Sequence, residues 1–591
     1  MDRKSILVIA LSLGLIVLWQ VVLVPKLYPP KVVPAGSSNQ VASASNTGQS
    51  SAPGVVAGPT NAPVRPVTSM VEELVVVTNG NSVLTFTSHG GGLKEVGLRK
   101  YPAIISRDRK TNSGPQAVAT LNAGAHLPAL SLLGGAALEG DGIYALTQVG
   151  AGVRAEKALP TGLVIIKEFL PTSNYLIRVS TRLENRGSQP LLIPEHQFLI
   201  GTSTPLTPHD LPLNQGAMWH DGATPSIADE GWFANRTLGC IPGTPRTEYR
   251  AGNGNVVWGE VHNQFFTIAV IPATNQPPAA VYVKHLDLPP PSRAVVEADS
   301  RTNLKPVGYQ AGLVYPAQSL APGEAVFRGY TVYAGPKEYD RVANIGAELN
   351  NNLDALMNFG RFFGFFARIL LISMNALHGQ GLSYGLAIIA ITIIIKLLFW
   401  PLTNASTKSM KRMAALQPQM KAIAEKYKDD PQKKNLKTME FMKEHKVSPV
   451  AGCVPILIQI PVFIGFYTML NSAIELRGAS FLWAFDLSQP DYLFTIPGLG
   501  LPFHLMPFFW AASTWWQTSL TPTSPGMDPA QQKMMKFMPF MFFFFLYSTA
   551  SGLTVYWTVQ NLLSVLQTKI TKAGEDPANK AKTAVIVKAK K

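Results

Sequence analysis

The stretch that decides the fold is 383–402, "SYGLAIIAITIIIKLLFWPL", a largely apolar run that contains one charged residue, Lys396. Twenty residues, at about 1.5 Å each in a helix, match the roughly 30 Å hydrocarbon core of a bilayer, so the stretch predicts a transmembrane helix. A lysine inside such a run costs about 2.5–3.5 kcal/mol on insertion scales. Lys396 either snorkels to the nearby interface or has a function, and its position alone leaves both interpretations open.

The composition of the whole chain agrees with a membrane protein that also has a large soluble part. Of its 591 residues, 47% are apolar and 15% are charged, against about 25% charged in ordinary soluble domains. Cys240 falls in a soluble region and Cys453 in an apolar run. We therefore expect neither a disulfide between them nor a metal site built on cysteine.

The first 70 residues predict a membrane anchor and a linker. Residues 1–24 contain a largely apolar run of twenty residues, 5–24, which is long enough to span a bilayer. A cleaved signal peptide is the alternative, but its apolar core is normally about 7–15 residues long, so we predict an uncleaved anchor. Arg3 and Lys4 then place the N-terminus in the cytoplasm. Residues 25–70, rich in Pro, Ser, Ala and Gly, predict a flexible linker.

Residues 71–337 alternate short β-branched segments with turn residues, which predicts one large antiparallel β-sandwich outside the cytoplasm. The segment 73–88, "ELVVVTNGNSVLTFTS", places two strands around Asn79-Gly80, a strong hairpin signal. The segment 174–194, "NYLIRVSTRLENRGSQPLLIP", predicts a second hairpin of the same kind.

Signatures of catalysis are missing from the sequence. We find no P-loop, no HExxH and no GxSxG in a suitable context, so we expect no enzyme, no nucleotide, no metal or other cofactor, and no small-molecule substrate. The glycine-rich "SHGGGLKE" at 88–95 predicts a turn, because no helix start follows it. Trp219, Trp232 and Trp258 could stack on sugars, but such aromatics more often belong to a core.

The distribution of charge predicts the membrane topology of residues 338–591. The region 338–382 contains an apolar run, 359–377, that could span the membrane or lie in its surface, with Arg361 and Arg368 on one helix face. The loop 403–448 has 11 Lys and Arg against 5 Asp and Glu. The positive-inside rule places that loop in the cytoplasm, which requires 359–377 to be an interfacial helix on the outer surface.

The run 537–568 is too long for one span, since it would reach about 48 Å as a helix. "STASG" at 548–552 offers a turn between two short spans, which returns the basic C-terminal end to the cytoplasm. The predicted order after the sandwich is transmembrane spans at 383–402, 450–472, 503–520, 537–549 and 552–568, with a basic cytoplasmic helical hairpin at 403–448, a periplasmic loop at 473–502, a cytoplasmic loop at 521–536 and a basic cytoplasmic tail at 569–591.

Polar residues in these spans follow a pattern. Pairs four residues apart share a helix face, and the pairs are Thr392 and Lys396, Ser513 and Gln517, and Tyr556 and Gln560. Gln459 stands between two prolines, and Trp557 adjoins Tyr556. Since intramembrane polar groups face a bundle interior or a wet cavity, the set predicts a hydrophilic cavity open to the cytoplasm. Ordinary helix packing remains the alternative for each member.

The cytoplasmic loop predicts a helical hairpin with a basic face and a Met-rich face. Its candidate residues are Lys411, Arg412, Met413, Met420 and Lys421. Methionine stripes serve in packing or in binding variable apolar partners. The basic face fits anionic lipid and also fits ribosomal RNA.

The motifs of the helical part resemble the YidC/Oxa/Alb family of membrane protein insertases, and the layout resembles its Gram-negative form. The motifs are "YGLAIIAITIIIKLLFWPLT", "SMKRMAALQPQM", "VSPVAGCVPILIQIPVFIGFYTML", "MDPAQQKMMKFMPFMF" and "SGLTVYWTVQNLLSVLQ", with "YAGPKEYDRV" at the end of the sandwich. The resemblance implies a five-helix core with a groove open to cytoplasm and lipid, and a periplasmic β-supersandwich. It also implies a bacterial inner-membrane location.

The resemblance further implies that the chain inserts and helps to fold nascent membrane proteins, alone or with the Sec translocon. It assigns the positive groove residue to Lys396, with Thr392, Gln459, Gln517, Tyr556 and Trp557 near it. One departure is that the bacterial family usually has arginine at this position, so the bidentate fork is lost here.

Two other classes of function predict different features. A transporter or channel would show inverted repeats and paired ionisable groups near the midplane, whereas this sequence shows no repeat and one intramembrane charge. A carbohydrate-binding or envelope-structuring protein would act through the β-sandwich.

Overall fold

A computed structural model describes residues 71–105, 117–208, 210, 212–236, 241, 243–274, 277–298, 302–360, 363–428, 430–445, 454–496, 501–520, 537, 540, 542–544 and 546–573. The predicted anchor, linker and cytoplasmic loop 521–536 lie outside these residues, as do Arg361 and both cysteines. Most of the tail 569–591 lies outside them too.

The first part of the described chain is built from short antiparallel strands. They are β1 (Leu74–Thr78), β2 (Ser82–Thr87), β3 (Gly92–Pro102), β4 (Val118–Leu121), β5 (Leu132–Leu133), β6 (Ala145–Val149), β7 (Gly152–Ala158), β8 (Leu163–Pro171), β9 (Leu176–Asn185), β10 (Leu191–Ile193), β11 (His196–Ser203), β12 (Gly216–His220), β13 (Pro225–Asp229), β14 (Glu248–Ala251), β15 (Trp258–His262), β16 (Phe266–Pro272), β17 (Ala280–Asp287), β18 (Val307–Tyr315), β19 (Gln318–Leu320) and β20 (Ala325–Pro336). A small pair, β21 (Phe494–Thr495) and β22 (Pro502–Phe503), follows much later in the chain.

The strands form a sandwich. A nine-stranded sheet has the order β13-β12-β15-β16-β20-β9-β8-β7-β6, and a five-stranded sheet has the order β14-β17-β18-β11-β5. The two sheets face each other closely, because a Cβ at Gly259 of β15 would lie 2.8 Å from Ile200 and 3.3 Å from Leu313 on the opposite sheet. A four-stranded sheet, β1-β2-β3-β4, adds to the same core, where Phe86 meets Phe169 at 5.0 Å. The predicted all-β domain is therefore confirmed.

The first predicted hairpin is confirmed. Strands β1 and β2 pair antiparallel up to Thr78 and Val83. The Asn79 side-chain oxygen accepts hydrogen bonds from the backbone N–H groups of Asn81 and Ser82, at 2.9 and 2.7 Å. This Asx-type turn satisfies backbone donors that the reversal would otherwise leave unpaired.

The second predicted hairpin is wrong. β9 lies inside the nine-stranded sheet between β20 and β8, whereas β10 pairs with β19 in a separate two-stranded ribbon. The chain leaves β9 at Asn185, whose amide donates to the carbonyls of Gln189 and Leu320. That amide stabilises a loop between sheets instead of a tight reversal, and the segment lacks a two-residue Asn-Gly turn.

The tryptophans and the glycine-rich stretch have structural roles. Trp258 is fully buried and donates from Nε1 to the Asn351 carbonyl at 3.0 Å, Trp219 is buried, and Trp232 packs against the core. At 88–95 the chain turns through Gly90 and Gly91, which have φ values of 71° and 54°, and β3 begins at Gly92. The predicted turn is present, and these tryptophans offer no open sugar platform.

The described helices lie mainly after the sandwich. They are α1 (Ala136–Glu139), α2 (Glu230–Ala234), α3 (Arg293–Ala298), α4 (Tyr339–Leu349), α5 (Gly364–Gly379), α6 (Tyr384–Leu398), α7 (Trp400–Ala415), α8 (Gln417–Lys426), α9 (Pro431–Glu444), α10 (Val454–Ser472), α11 (Met506–Leu520) and α12 (Ser551–Ala573).

The stretch 383–402 contains a break between two helices. α6 ends at Leu398 and α7 begins at Trp400, with a bend of 58° between them. Pro401 has no N–H to donate to the Leu397 carbonyl one turn back, which favours the break. The Thr403 hydroxyl donates to the carbonyls of Phe399 and Trp400 at the break, at 3.0 and 3.2 Å. Among the described helices, no single one meets a length and hydropathy test for a membrane span, whereas α6 and the first part of α7 meet it as a bent pair.

α5 packs on α10 with one face. It buries Ala367, Leu370, Leu371 and Met374. The approach is close, since a Cβ at Gly465 of α10 would lie 2.9 Å from the Cβ of Phe366. The opposite face of α5 leaves Phe365, Ile369 and Ile372 exposed.

Candidate functional site

At the C-terminal end of α6, the polar Thr392 and Lys396 lie inside, together with apolar residues such as Ile388 and Ile391, whereas other large apolar residues lie outside. Thr392 is fully buried and Lys396 is only 8% exposed, whereas the neighbouring Leu397 and Leu398 are 61% and 70% exposed. The Thr392 hydroxyl donates to the Ile388 carbonyl at 2.6 Å, so it satisfies itself within the helix. A water-soluble helix shows the reverse pattern, so this face of α6 fits an apolar surrounding with a polar interior.

Lys396 reaches across to α12. Its Nζ donates to the Ser564 hydroxyl oxygen at 2.8 Å, and that hydroxyl in turn donates to the Gln560 carbonyl at 2.8 Å. In the described part of the chain no carboxylate lies within ion-pair distance of this ammonium. The site thus holds a positive charge without a counter-ion among the described residues.

Two more polar residues of α12 reach the neighbouring helices α10 and α11. The Gln560 amide donates to the side-chain oxygen of Gln459 on α10 at 3.1 Å. The Asn561 amide donates to the hydroxyls of Ser513 and Thr514 on α11, at 3.1 and 2.8 Å. Three predicted residues, Gln459, Ser513 and Gln560, therefore meet along α12.

A fourth contact lies one turn further along. The Gln567 amide donates to the Thr403 hydroxyl at 2.7 Å, next to the break between α6 and α7. We call Gln560, Asn561, Ser564 and Gln567 the α12 polar row. Its members bond four different helices, α10, α11, α6 and α7, so α12 is the polar centre of the bundle.

An aromatic layer closes the other end of the site. Tyr556 is buried and stacks on Phe466 with ring centroids 4.1 Å apart. Trp557 lies 4.6 Å from Phe463 and 5.6 Å from Trp510. Both precede the polar row on α12, which starts at Ser551 with its N–H bonded to the Gln489 carbonyl of the loop 473–502. The layer therefore separates the polar row from that loop.

The remaining predicted residues lie at the edges of this arrangement. Gln517 is half-buried on α11, one turn beyond Ser513. On the hairpin, Met413 and Met420 are buried, and Met420 clusters with Met442 of α9. Arg412 and Lys421 are exposed, and the side chain of Lys411 lies outside the described atoms. These hairpin residues thus lie away from the α12 polar row.

Ser564 and Gln567 were not predicted from the sequence, and neither was Thr403, the partner of Gln567, whereas Lys396, the partner of Ser564, was predicted. Their spacing carried a signal, because Gln560, Ser564 and Gln567 lie four and three residues apart and share one helix face. The charge of Lys396 is a much stronger sequence signal than a serine in an apolar helix, so Ser564 by itself did not predict a site.

Between the sandwich and the loop 473–502 lies a cavity of about 580 Å³. Arg477 lines it and donates from Nη2 to the carbonyls of Pro102 and Ala103, at 2.7 and 3.0 Å. Its guanidinium also lies 5.9 and 5.7 Å from the rings of Phe265 and Phe266. Arg477 therefore joins the sandwich to the helical part. Within the described residues no cluster of His, Cys, Asp and Glu is placed to hold a metal ion.

Fold and site together define a class of protein with a large antiparallel β-sandwich and a helical bundle whose apolar faces point outwards around a buried polar row. Two family models match the chain, "YidC periplasmic domain" over residues 74–373 and "60Kd inner membrane protein" over residues 376–578. The chain belongs to the YidC family of membrane protein insertases, as its motifs predicted.

Similar proteins support this assignment over almost the whole chain. A protein of Syntrophus aciditrophicus, "Membrane protein insertase YidC", is 31% identical over 589 residues, which covers 96% of this chain and 98% of that one. A protein of the same name from Cupriavidus necator is 38% identical over 318 residues, covering 54% of this chain and 50% of that one.

Solved structures give weaker likenesses. One titled "Active YidC insertase crystal structure with the first transmembrane domain resolved" shares 18% identity, with a TM-score of 0.33 over 85% of this chain and 93% of that one. A putative aldose 1-epimerase from Escherichia coli shares 12% identity, with a TM-score of 0.27 over 45% of this chain and 99% of that one.

Proposed function

We propose that this chain inserts membrane proteins into the inner membrane through a polar groove built by α6, α10, α11 and α12. The observation that carries the proposal is the inverted burial on α6, where Lys396 is buried and Leu397 and Leu398 are exposed. A buried charge without a carboxylate partner is costly, and it persists where it serves binding. The large exposed side chains beside it suit contact with lipid tails.

We propose the predicted topology, with both termini in the cytoplasm and the sandwich in the periplasm. Two of the helices that carry the groove are short, because α6 and α11 have 15 residues each and reach only about 22 Å. A bilayer around such helices has to thin or the helices have to oligomerise, and thinning lowers the cost of moving polar segments across. The aromatic layer of Tyr556 and Trp557 fits a groove that is closed on the periplasmic side and open to the cytoplasm.

In the proposed mechanism, Lys396 attracts an acidic residue in the translocated tail of a nascent membrane protein. The attraction is stronger than in water because Lys396 lies among apolar helices of low polarity. The α12 polar row, with Gln459, Ser513 and Thr392 nearby, offers the tail hydrogen-bond partners to replace water. The substrate's apolar helix then leaves sideways into lipid past the exposed leucines, and no nucleotide is consumed.

Lysine at this position acts as a point charge. It lacks the planar fork with which arginine grips a carboxylate through two bonds. We therefore propose charge attraction, and not bidentate recognition, as the basis of substrate capture in this chain.

We further propose that the chain acts alone or with the Sec translocon, and that it chaperones the folding of inserted helices. The exposed Arg412 and Lys421 of the hairpin fit a contact with ribosomal RNA or with anionic lipid. The buried methionines, in contrast, serve to hold α8 against α9.

The test is insertion of a substrate with an acidic N-terminal tail into proteoliposomes that contain the full chain. We expect Lys396→Ala to lower insertion about tenfold, equivalent to about 1.4 kcal/mol, and Lys396→Glu to lower it further by repulsion. Arg178→Ala, an exposed charge on β9, is the control and should insert like the wild type. Equal insertion by all four proteins would remove the role given to Lys396.

A further inference from the structure

Ser564 lies opposite Lys396 at the seam between α6 and α12, and the inference drawn from it rests on the proposed insertase function. The distance from Lys396 Nζ to Ser564 Oγ is 2.8 Å. Lys396 is buried and Ser564 is half-buried. Ser564 is the single side chain to which the described structure ties this ammonium.

The serine hydroxyl has a fixed direction. It donates its proton to the Gln560 carbonyl at 2.8 Å, one helical turn back, so its lone pairs point away from α12 and accept from Lys396. The other members of the α12 polar row are engaged with different helices, Gln560 with Gln459 and Gln567 with Thr403. Ser564 is therefore the member of the row that accepts from the lysine in the described structure.

A lysine needs such an acceptor more than an arginine does. Its ammonium is a compact charge on a flexible four-carbon stem with three donors, and it loses much rotamer freedom when fixed. Without a directing partner, the ammonium of Lys396 could turn along α6 towards the interface beyond Leu398. With Ser564 accepting one N–H, two N–H groups remain available for a substrate carboxylate.

We propose that Ser564 is a positioning residue for substrate recognition, which holds the ammonium of Lys396 at the α6–α12 seam so that it meets the acidic group of the translocated tail. It does not itself bind the carboxylate. Its role compensates for the missing fork of an arginine, and it selects substrates whose acidic residue reaches the depth of Ser564.

The test compares two substrates that differ only by an Asp→Asn change in the tail, inserted by the full chain in proteoliposomes. Ser564→Ala should lower insertion of the acidic substrate about three- to tenfold, the range for one typical intramolecular hydrogen bond, and leave the neutral substrate unchanged. Ser564→Thr keeps the hydroxyl and should restore insertion. Ser519→Ala removes an exposed hydroxyl from α11 that bonds only its own helix, and should have no effect.

A double-mutant comparison separates positioning from packing. In a Lys396→Arg background, Ser564→Ala should cost much less, because a guanidinium directs its own donors without the serine. Equal losses for both substrates, or an equal loss in the arginine background, would overturn the proposal and assign Ser564 to packing. If Lys396→Ala inserts the acidic substrate as well as the wild type does, it is the insertase role of Lys396 that fails.

Discussion

Two buried lysines, one in the β-sandwich and one in the helical bundle, show how the two regions use charge. Lys167 is fully buried, donates to the carbonyls of Gly90 and Leu130 at 2.7 and 3.2 Å, and lies 4.6 Å from the centre of the Tyr144 ring. Lys396 is also buried but has one hydroxyl partner. Burial alone therefore does not distinguish the two lysines, whereas the number of N–H donors without an acceptor in the described structure does, with one for Lys167 and two for Lys396.

The same contrast extends to the apolar residues. In the sandwich, large side chains such as Phe86 and Phe266 are fully buried between sheets. In the bundle, large side chains such as Leu398 and Trp515 are exposed at 70% and 72%. The exposed apolar side chains of the bundle fit the lipid surrounding that we propose for it.

The largest effect on stability should come from removing a large buried side chain from the sandwich core. Phe86→Ala removes a fully buried ring that packs on Phe169, and we expect a loss of about 3–5 kcal/mol in the stability of the sandwich. Leu398→Ala, at the exposed end of α6, should change stability by less than about 0.5 kcal/mol in detergent. Local hydrogen exchange followed by peptide mass analysis can measure both. A large loss from Leu398→Ala would contradict the inverted pattern.

Exchanging the two lysines for methionine tests the comparison directly. Lys167→Met keeps most of the volume but leaves two buried carbonyls without donors, and we expect a loss of about 2–4 kcal/mol. Lys396→Met removes a buried charge that has no carboxylate partner, so stability should stay constant or rise while insertion falls. Thermal unfolding in detergent and proteoliposome insertion give the two readings. Loss of stability in both variants would mean that Lys396 is structural as well.

Glu475, in the loop 473–502, gives a pH-dependent test at the boundary between the regions. Burial raises the pKa of its carboxyl from 4.5 to about 7. The Asn375 amide donates to it at 3.5 Å, and one carboxyl oxygen has no described partner. The titratable groups that face it are Glu338, Asp340, Tyr101 and Tyr384.

The raised pKa of Glu475 determines in which direction stability changes with pH. The charged form is disfavoured in the folded state, so stability from this group is complete below about pH 4.5 and is lost as the pH rises through about 7. We expect a decrease of roughly 2–3 kcal/mol between pH 4.5 and pH 8. Glu475→Gln should remove that part of the slope in thermal unfolding in detergent. An unchanged slope would assign the pH dependence to other groups.

The predictability of the two regions also differs. The β1–β2 hairpin followed from local turn chemistry, because Asn79 supplies its own capping bonds. The predicted pairing of β9 with β10 is wrong, because β9 pairs with β20 and β10 pairs with β19, and both partners lie far away in sequence. Long-range pairing of this kind depends on which surfaces meet in the folded sheet, and local turn residues do not encode it.

In the bundle, the residue types of the site were predictable but their partners were not. The polar residues on four of the five predicted core spans stand out because each lies in an apolar run, and the structure joins Gln459 to Gln560 and Ser513 to Asn561. That Lys396 meets Ser564 depends on how α6 and α12 cross, which no local pattern gives. The break at Phe399 was not predicted, although Pro401 lies two residues beyond it, and neither was its 58° bend.

The smallest effect should come from a member of the α12 polar row that does not touch the charge. Asn561→Ala removes two hydrogen bonds to α11, yet the hydroxyls of Ser513 and Thr514 keep their own bonds to the Trp510 carbonyl, at 2.7 and 2.8 Å. Since no partner is left unpaired, we expect a loss of only about 0.6–1.7 kcal/mol, the range for interhelical polar contacts in membranes.

The next residue, Leu562, is exposed and provides the matched control, so Leu562→Ala should leave thermal unfolding in bicelles unchanged within about 0.5 kcal/mol. A loss above about 3 kcal/mol from Asn561→Ala would place it with the core residues of the sandwich. A small loss in stability with full insertion would instead show that the row is divided, with Asn561 joining helices and Ser564 directing the charge. That division is what separates a polar row that only holds a bundle together from one that also presents Lys396 to a substrate.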